Sequence, residues 1–420
     1  MSSTLSEAGS RLWGPARLPS FRLLWVAQSL SLLGHGFSYI AFAWITLTLT
    51  DSALTLGWVL AFQAVPRALL TLVGGSLSDK WSHRTVMMLS SWARAALMVM
   101  VGVAGMAGTL NIAMLCVAAA AFGAVDAFFQ PARVSILPSV VDKDMLPQAN
   151  ALLGAGTRVF AVLGPAVGGI VVAFSDANVA FLVDGLCFAV CALCVARVRT
   201  LPRQADTDSG PEGGGKEETG DTLLTRIRYG LRYAWQDPRI RTMLVVDTAV
   251  TFCYAGPFTV GFATLAKSEL QGGSMTLGLL NGALVGGAML GALVGGTLSV
   301  RPRVGLLVAG LAGWLALGMG SLGLLGSTTA AIGTVLTMGF AIGFQGVFGL
   351  SWLQRNVPEQ MLSRVISFDM VLGYAIAPVS LLLCGILADI SVAAMFGGVA
   401  LILAVTALGV LTSRPVREMR

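Results

Sequence analysis

The chain has 420 residues, of which 55% are hydrophobic and 11% charged, with a mean hydropathy of +0.80. Soluble domains carry about 25% charged residues, so the composition excludes an ordinary soluble enzyme or binding domain and indicates a polytopic membrane protein. The formal net charge of +6 is concentrated in particular loops, where it reports orientation rather than nucleic-acid binding.

Residues 1–20 hold Arg11, Arg17 and two prolines and have no apolar core. They read as a cytoplasmic N-terminal segment rather than a cleaved signal peptide, the first apolar stretch serving as the insertion signal. About 20 apolar residues cross a bilayer. Twelve stretches meet that length, at 21–49, 54–77, 85–107, 110–130, 145–173, 178–197, 239–266, 275–299, 304–325, 328–352, 361–388 and 391–412. The expected class is therefore all-α, with a first six-helix bundle over 21–197 and a second over 239–412. Residues 198–238 form a cytoplasmic linker and 413–420 a cytoplasmic tail. In the linker, Asp206–Asp221 lacks the apolar content to fold and reads as disordered. Leu223–Trp235 alternates apolar residues with Arg226, Arg228 and Arg232, as a helix lying along lipid headgroups would.

Cations occupy every second loop: Arg11, Arg17 and Arg22, then Lys80 and Arg84, Arg133 and Lys143, and Arg197, Arg199 and Arg203. The pattern continues with Arg301 and Arg303, Arg355 and Arg364, and Arg414, Arg417 and Arg420. The intervening loops hold Asp51, Asp176 and Asp389, with Lys267 as their cation. By the positive-inside rule both termini and the linker face the cytoplasm. The six cysteines, Cys116, Cys187, Cys191, Cys194, Cys253 and Cys384, all fall in apolar stretches, so no disulfide framework is implied. Cys187, Cys191 and Cys194 share a helical face, but no histidine or carboxylate stands at ligand spacing; they read as small packing residues, and no metal site is expected.

The halves repeat. Leu72-Val-Gly-Gly-Ser-Leu-Ser78 returns as Leu293-Val-Gly-Gly-Thr-Leu-Ser299, and Val141-x-x-x-Met145-Leu146 as Val357-x-x-x-Met361-Leu362. Repeats in register across six spans indicate two pseudo-symmetric bundles related in parallel, the arrangement that rocking access to a midplane site requires. No Walker loop is present, and neither His-Glu-x-x-His nor a Ser-His-Asp or paired-carboxylate pattern points to an enzyme.

Ionisable residues inside spans are expensive and mark functional positions. His35 and Asp247 sit deep in stretches one and seven; Asp184 lies nearer the outer end of stretch six. A histidine or carboxylate there can load and release a proton as a cavity changes sides, although for His35 a neutral imidazole bonded to a neighbouring helix is the alternative. Arg67, Arg94 and Arg158 form either a structural network or a site for an anionic solute. Asp126 is expected near Lys80 and Arg84, and Asp369 within reach of Arg364 or of the first-half gate, as ion pairs of a cytoplasmic gate.

The turn Gly75-Ser-Leu-Ser-Asp79-Lys80-Trp-Ser-His-Arg84 resembles the loop signature of the major facilitator superfamily, Gly-x-x-x-Asp-Arg/Lys-x-Gly-Arg/Lys-Arg/Lys. Ser82 replaces its second glycine and His83 the first of its paired cations. Gly164-Pro165-Ala-Val-Gly168-Gly169 resembles the core of the antiporter motif of that superfamily's exporters. Glycines there allow close helix approach, and Pro165 removes a backbone bond. Phe129-Gln-Pro131-Ala-Arg133, Leu146-Pro-Gln-Ala-Asn150-Ala, Phe181-Leu-Val-Asp184 and Gly230-Leu-Arg-Tyr-Ala-Trp-Gln-Asp-Pro238 are similar to a bacterial exporter branch that includes siderophore and macrolide efflux proteins. Two departures concern coupling: Gly34-His35 stands where that branch often has an acidic residue, and span four lacks the arginine of many proton antiporters.

The resemblance implies a monomeric transporter in the bacterial cytoplasmic membrane, without cofactor, that exchanges protons for a small amphipathic organic molecule. It further implies that the turn gates access by alternating between two arrangements. An uncoupled facilitator or importer is the alternative within transport, and a lipid scramblase or membrane enzyme the alternative outside it.

Overall fold

The computed structural model describes residues 13–78, 82–200, 238–270, 272–297, 304–356 and 359–412. Twelve helices among them are long and apolar enough to cross a membrane, and no strand forms among the described residues. The first six are α1 Pro19–Thr50, α2 Ala53–Ser78, α3 His83–Met106, α4 Ile112–Ser135, α5 Leu146–Phe174 and α6 Ala177–Arg197. The last five are α8 Gly273–Thr297, α9 Val304–Leu322, α10 Thr328–Asn356, α11 Glu359–Ile390 and α12 Val392–Thr412. Between them α7 is regular over Pro238–Gly256, then passes through two π turns, Pro257–Gly261 and Leu265–Glu269, around Phe262–Thr264. Pro257 has no N–H to complete the ladder, which is where the irregularity begins. Both linker expectations, the Asp206–Asp221 stretch and the Leu223–Trp235 helix, lie outside the described residues.

α3 packs on α6, α2 on α4, and α1 on α5 and α6. Six helices later, α9 packs on α12, α8 on α10, and α7 on α11. The two sixes are thus separate bundles with equivalent internal packing. They meet through α2 against α11 and α5 against α8, a pair that the same six-helix offset exchanges. Phe42, Phe122, Phe181 and Phe188 fill the first bundle's interior, whereas Leu69, Val117 and Leu317 are exposed on the outside, where lipid covers them.

Where the bundles touch, they do so through backbone. A Cβ on Gly57 would lie 2.7 Å from the Leu381 carbonyl oxygen, and one on Gly385 2.8 Å from that of Ala53. The Asp389 carboxylate accepts the N–H groups of Ala53 and Leu54, the latter at 3.1 Å, and the Ser52 hydroxyl at 2.9 Å. It therefore sits at the positive N-terminal end of α2, where an anion is stabilised. Lys267 pairs with Asp51 and donates to the Leu47 carbonyl at the C-terminal end of α1. Tyr39 donates to the Phe258 carbonyl at 3.3 Å, and Ser274 to that of Gly169 at 3.2 Å. Among the described residues, every inter-bundle hydrogen bond lies in the half of the molecule that contains Asp51 and Asp389.

Candidate functional site

Five spans of the first bundle each contribute one ionisable side chain to its interior: His35 from α1, Arg67 from α2, Arg94 from α3, Asp126 from α4 and Asp184 from α6. Gly123 explains how the short Asp126 side chain reaches across. A Cβ there would be 2.0 Å from the Gln63 carbonyl oxygen, so α2 and α4 touch one turn from the carboxylate. Asp126 accepts a hydrogen bond from Arg94 Nη1 at 3.2 Å on one oxygen, and its other oxygen makes an ion-pair contact with Arg67 Nε at 3.3 Å. Arg94 is 1% exposed and lies over the rings of Phe129 and Phe188, 3.8 and 4.3 Å from their centroids. Those ring faces compensate the guanidinium where its Nε and Nη2 have no hydrogen-bond partner among the described residues. His35 stacks on Phe122, with centroids 5.8 Å apart.

Asp184 stands apart from the triad. It is 0% exposed, and neither oxygen has a hydrogen-bond partner among the described residues. The Ser38 hydroxyl beside it donates to the carbonyls of Gly34 and His35, at 3.4 and 3.3 Å. A Cβ on Gly34 would come within 2.4 Å of Asp184 Oδ1, so the glycine makes room for this carboxylate. An ionised carboxylate without partners is expensive in apolar surroundings.

Below the contacts at the Asp51 end the packing of α8 on α5 loosens. A Cβ on Gly278 of α8 would be 2.7 Å from the Pro165 carbonyl oxygen and 3.0 Å from Gly169 Cα. One turn on, at Gly282, the nearest atoms are 3.6 and 3.7 Å away, and at Gly286 nothing lies within 4 Å. The α5 face that meets α8 carries Val162, Ala166 and Gly169, and Arg158 is on that same face one turn earlier. Its exposed side chain is turned away from the lipid-facing Val159, Leu163 and Ile170. Asp247 is exposed on α7, on the face that two to three turns on carries Tyr254 and Phe258, and it is engaged by a neighbouring group.

Two of the residues assigned to the gate, Arg84 and Asp126, take separate partners. Arg84 donates to the carbonyls of Val195 and Ala196 at the C-terminal end of α6, Nε to Val195 at 3.2 Å. It satisfies carbonyls that the helix end leaves open, a position that also suits a cation. Among the described residues, Asp126 is ion-paired with Arg94 and Arg67 and not with Arg84, which was expected beside it. Gly75 lies in the last turn of α2. Asp79 and Lys80 lie outside the described residues, as does the side chain of Asp369. The Gly164–Gly169 segment touches two helices. Gly164 and Gly168 approach Gly36 and Phe37 of α1 to between 3.1 and 3.3 Å of a built Cβ, and Gly169 approaches the Ser274 carbonyl oxygen to 2.6 Å. Sequence reasoning used Asp389, Asp51 and Lys267 only for sidedness. That a carboxylate recurs beside short turns was the available sign that these residues also bind across the interface.

The family model described as Major Facilitator Superfamily matches residues 24–380. The chain belongs to the Major Facilitator Superfamily. Its members are transporters rather than enzymes. Relatives of this superfamily protein include a multidrug efflux pump, Tap, of Mycolicibacterium fortuitum, 28% identical over 371 residues, covering 85% of this chain and 86% of the relative. The enterobactin exporter EntS of Salmonella choleraesuis is 26% identical over 365 residues, covering 83% of this chain and 80% of the relative. Among solved structures, the nucleoside transporter NupG superposes with a TM-score of 0.71 at 12% identity, over 94% of this chain and 100% of that one. A bacterial homologue of the lysosomal transporter Spinster gives 0.64 at 15% identity, over 95% of each chain. These likenesses establish the superfamily fold and place the exporters among its sequence relatives.

Proposed function

We propose that this transporter exports a small amphipathic organic molecule by alternating access, exchanging it for protons, as a monomer in the bacterial cytoplasmic membrane with both termini inside. The observation that carries the reading is the double contact of the α5 glycine segment. Gly164 and Gly168 bind the helix to its own bundle, and Gly169 binds it to α8, while the same helix leaves α8 by Gly286. In the orientation given by the loop cations, the separated end faces the cytoplasm, where an exporter loads. The efflux and siderophore-exporting relatives support the direction. Asp79, Lys80 and Asp369 belong in this reading to the cytoplasmic gate, with Gly75 at its start.

Coupling rests on groups that can take or lose a proton as water reaches them: His35, Asp184 and Asp247. Span one has Gly34-His35 where the exporter branch often has an acid, and a carboxylate is delivered to Gly34 from α6. A panel of toxic organic compounds, tested on a strain lacking other pumps, identifies the solute. Its uptake into everted vesicles should follow an imposed pH gradient and stop with a protonophore. Uptake indifferent to the gradient would establish facilitated flow instead.

A further inference from the structure

We infer that the space between the bundles holds the anionic group of its solute at Arg158, with Arg67 beside the path, so the solute class is an amphipathic organic anion bearing a carboxylate or similar oxygen group. This rests on the transport reading and adds the charge of the cargo. Arg158 lies near the middle of α5, on the face that closes on α8 at Gly169 and has left it by Gly286. Its side chain is exposed, and among the described residues no carboxylate or carbonyl receives it. A guanidinium at that depth, turned from lipid and without a carboxylate among the described residues, suits a water-filled space and an anion that enters it. Its planar fork suits a carboxylate.

Arg67 adds to the same field. Its side chain is 34% exposed and lies across α2 from the lipid-facing Trp58, Phe62 and Leu69, so its open side faces the interior. It uses Nε on Asp126, whose other oxygen is already held by Arg94; one carboxylate thus serves two guanidinium groups. Asp247 on α7 is the carboxylate that would favour a cation instead, and it is engaged by a group of its own.

The test is binding to purified full-length protein in detergent, which involves neither a membrane gradient nor a direction. Carboxyfluorescein serves as the anionic probe and ethidium as the cationic one, each followed by fluorescence anisotropy. Saturable carboxyfluorescein binding is expected, displaced by octanoate and not by octylamine, weakened about tenfold in Arg158→Gln and less in Arg158→Lys, which keeps the charge and loses the fork. The displacement arm uses the unaltered protein, so it decides even if Arg158→Gln does not fold. Preferential binding of ethidium, displacement by octylamine, absence of saturable carboxyfluorescein binding, or equal binding by folded Arg158→Gln would each overturn the assignment. If anion binding holds while everted vesicles show no uphill transport, the export reading has failed and the subsite stands.

Discussion

Arg94 lies 3.2 Å from Asp126, and each side chain is 1% exposed. Two charges so enclosed are held by one another, by Arg67 and by two phenylalanine rings. Removing one partner leaves the other buried and uncompensated, a change that costs about 3–5 kcal/mol. Asp126→Asn should therefore lower the melting temperature in detergent sharply. Arg94→Met combined with Asp126→Leu should recover much of the loss, because a matched apolar pair has no desolvation cost. A single variant that melts with the wild type would show that the pair does not hold the bundle.

The glycines of α5 give a graded series. Gly169→Leu should abolish transport by forcing α5 from the Ser274 carbonyl oxygen, only 2.6 Å from where a Cβ would stand. Gly164→Leu and Gly168→Leu should do so by separating α5 from α1, whose atoms lie 3.1 to 3.3 Å from where a Cβ would stand. Gly154→Ala, in open space on the same helix, should transport normally. Transport rates read with matched membrane expression decide the series, and wild-type activity in Gly169→Leu would remove the need for close approach.

At the Asp51 end, Asp389→Ala removes an acceptor of two backbone N–H groups and one hydroxyl. Hydrogen bonds to a charged group contribute about 1.5–3 kcal/mol each. The population should move toward separation at this end, with longer distances between spin labels on the facing ends of α2 and α11. Distances unchanged from wild type would mean that the glycine contacts alone keep these ends together.

Coupling is tested by three substitutions under the export reading. Asp184→Asn should leave downhill exchange partly intact and abolish uphill efflux. His35→Gln should move the pH optimum more than the apparent affinity. Asp247→Asn, on the facing bundle, should act as Asp184→Asn does if the proton is shared between bundles. Three variants that all pump uphill with wild-type pH dependence would favour a facilitator.

Apolar length makes all twelve spans legible because a helix that crosses lipid cannot leave its backbone bonds open. The ends are less so. The fourth stretch, expected over 110–130, continues to Ser135, held by tertiary contacts: Ala132 is buried, and Gln28 of α1 donates to the Arg133 carbonyl at 3.4 Å. The π turns of α7 were hidden since one added residue per turn leaves hydropathy unchanged. Ionisable positions inside spans were visible, yet their partners were not. Arg67, Arg94 and Asp126 sit on three different helices, and one-dimensional spacing carries no record of which faces meet. Proximity to the Gly75–Arg84 turn in sequence logic pointed Asp126 toward that turn, whereas the Gly123 contact turns it to α2 and α3.

Under the alternating-access reading, the tight meeting of Gly169 with Gly278 makes that point a fulcrum. From Gly278 to the end of α8 at Thr297 the arm is roughly 28 Å at the helical rise per residue. Every degree of rotation about the fulcrum then carries the far end sideways by about half an ångström. A swing of under about 20° opens a gap wide enough for a small organic molecule while the pivot itself scarcely moves. Because the surfaces that roll on one another are backbone and not interlocked side chains, little packing has to be unmade at the pivot during the swing.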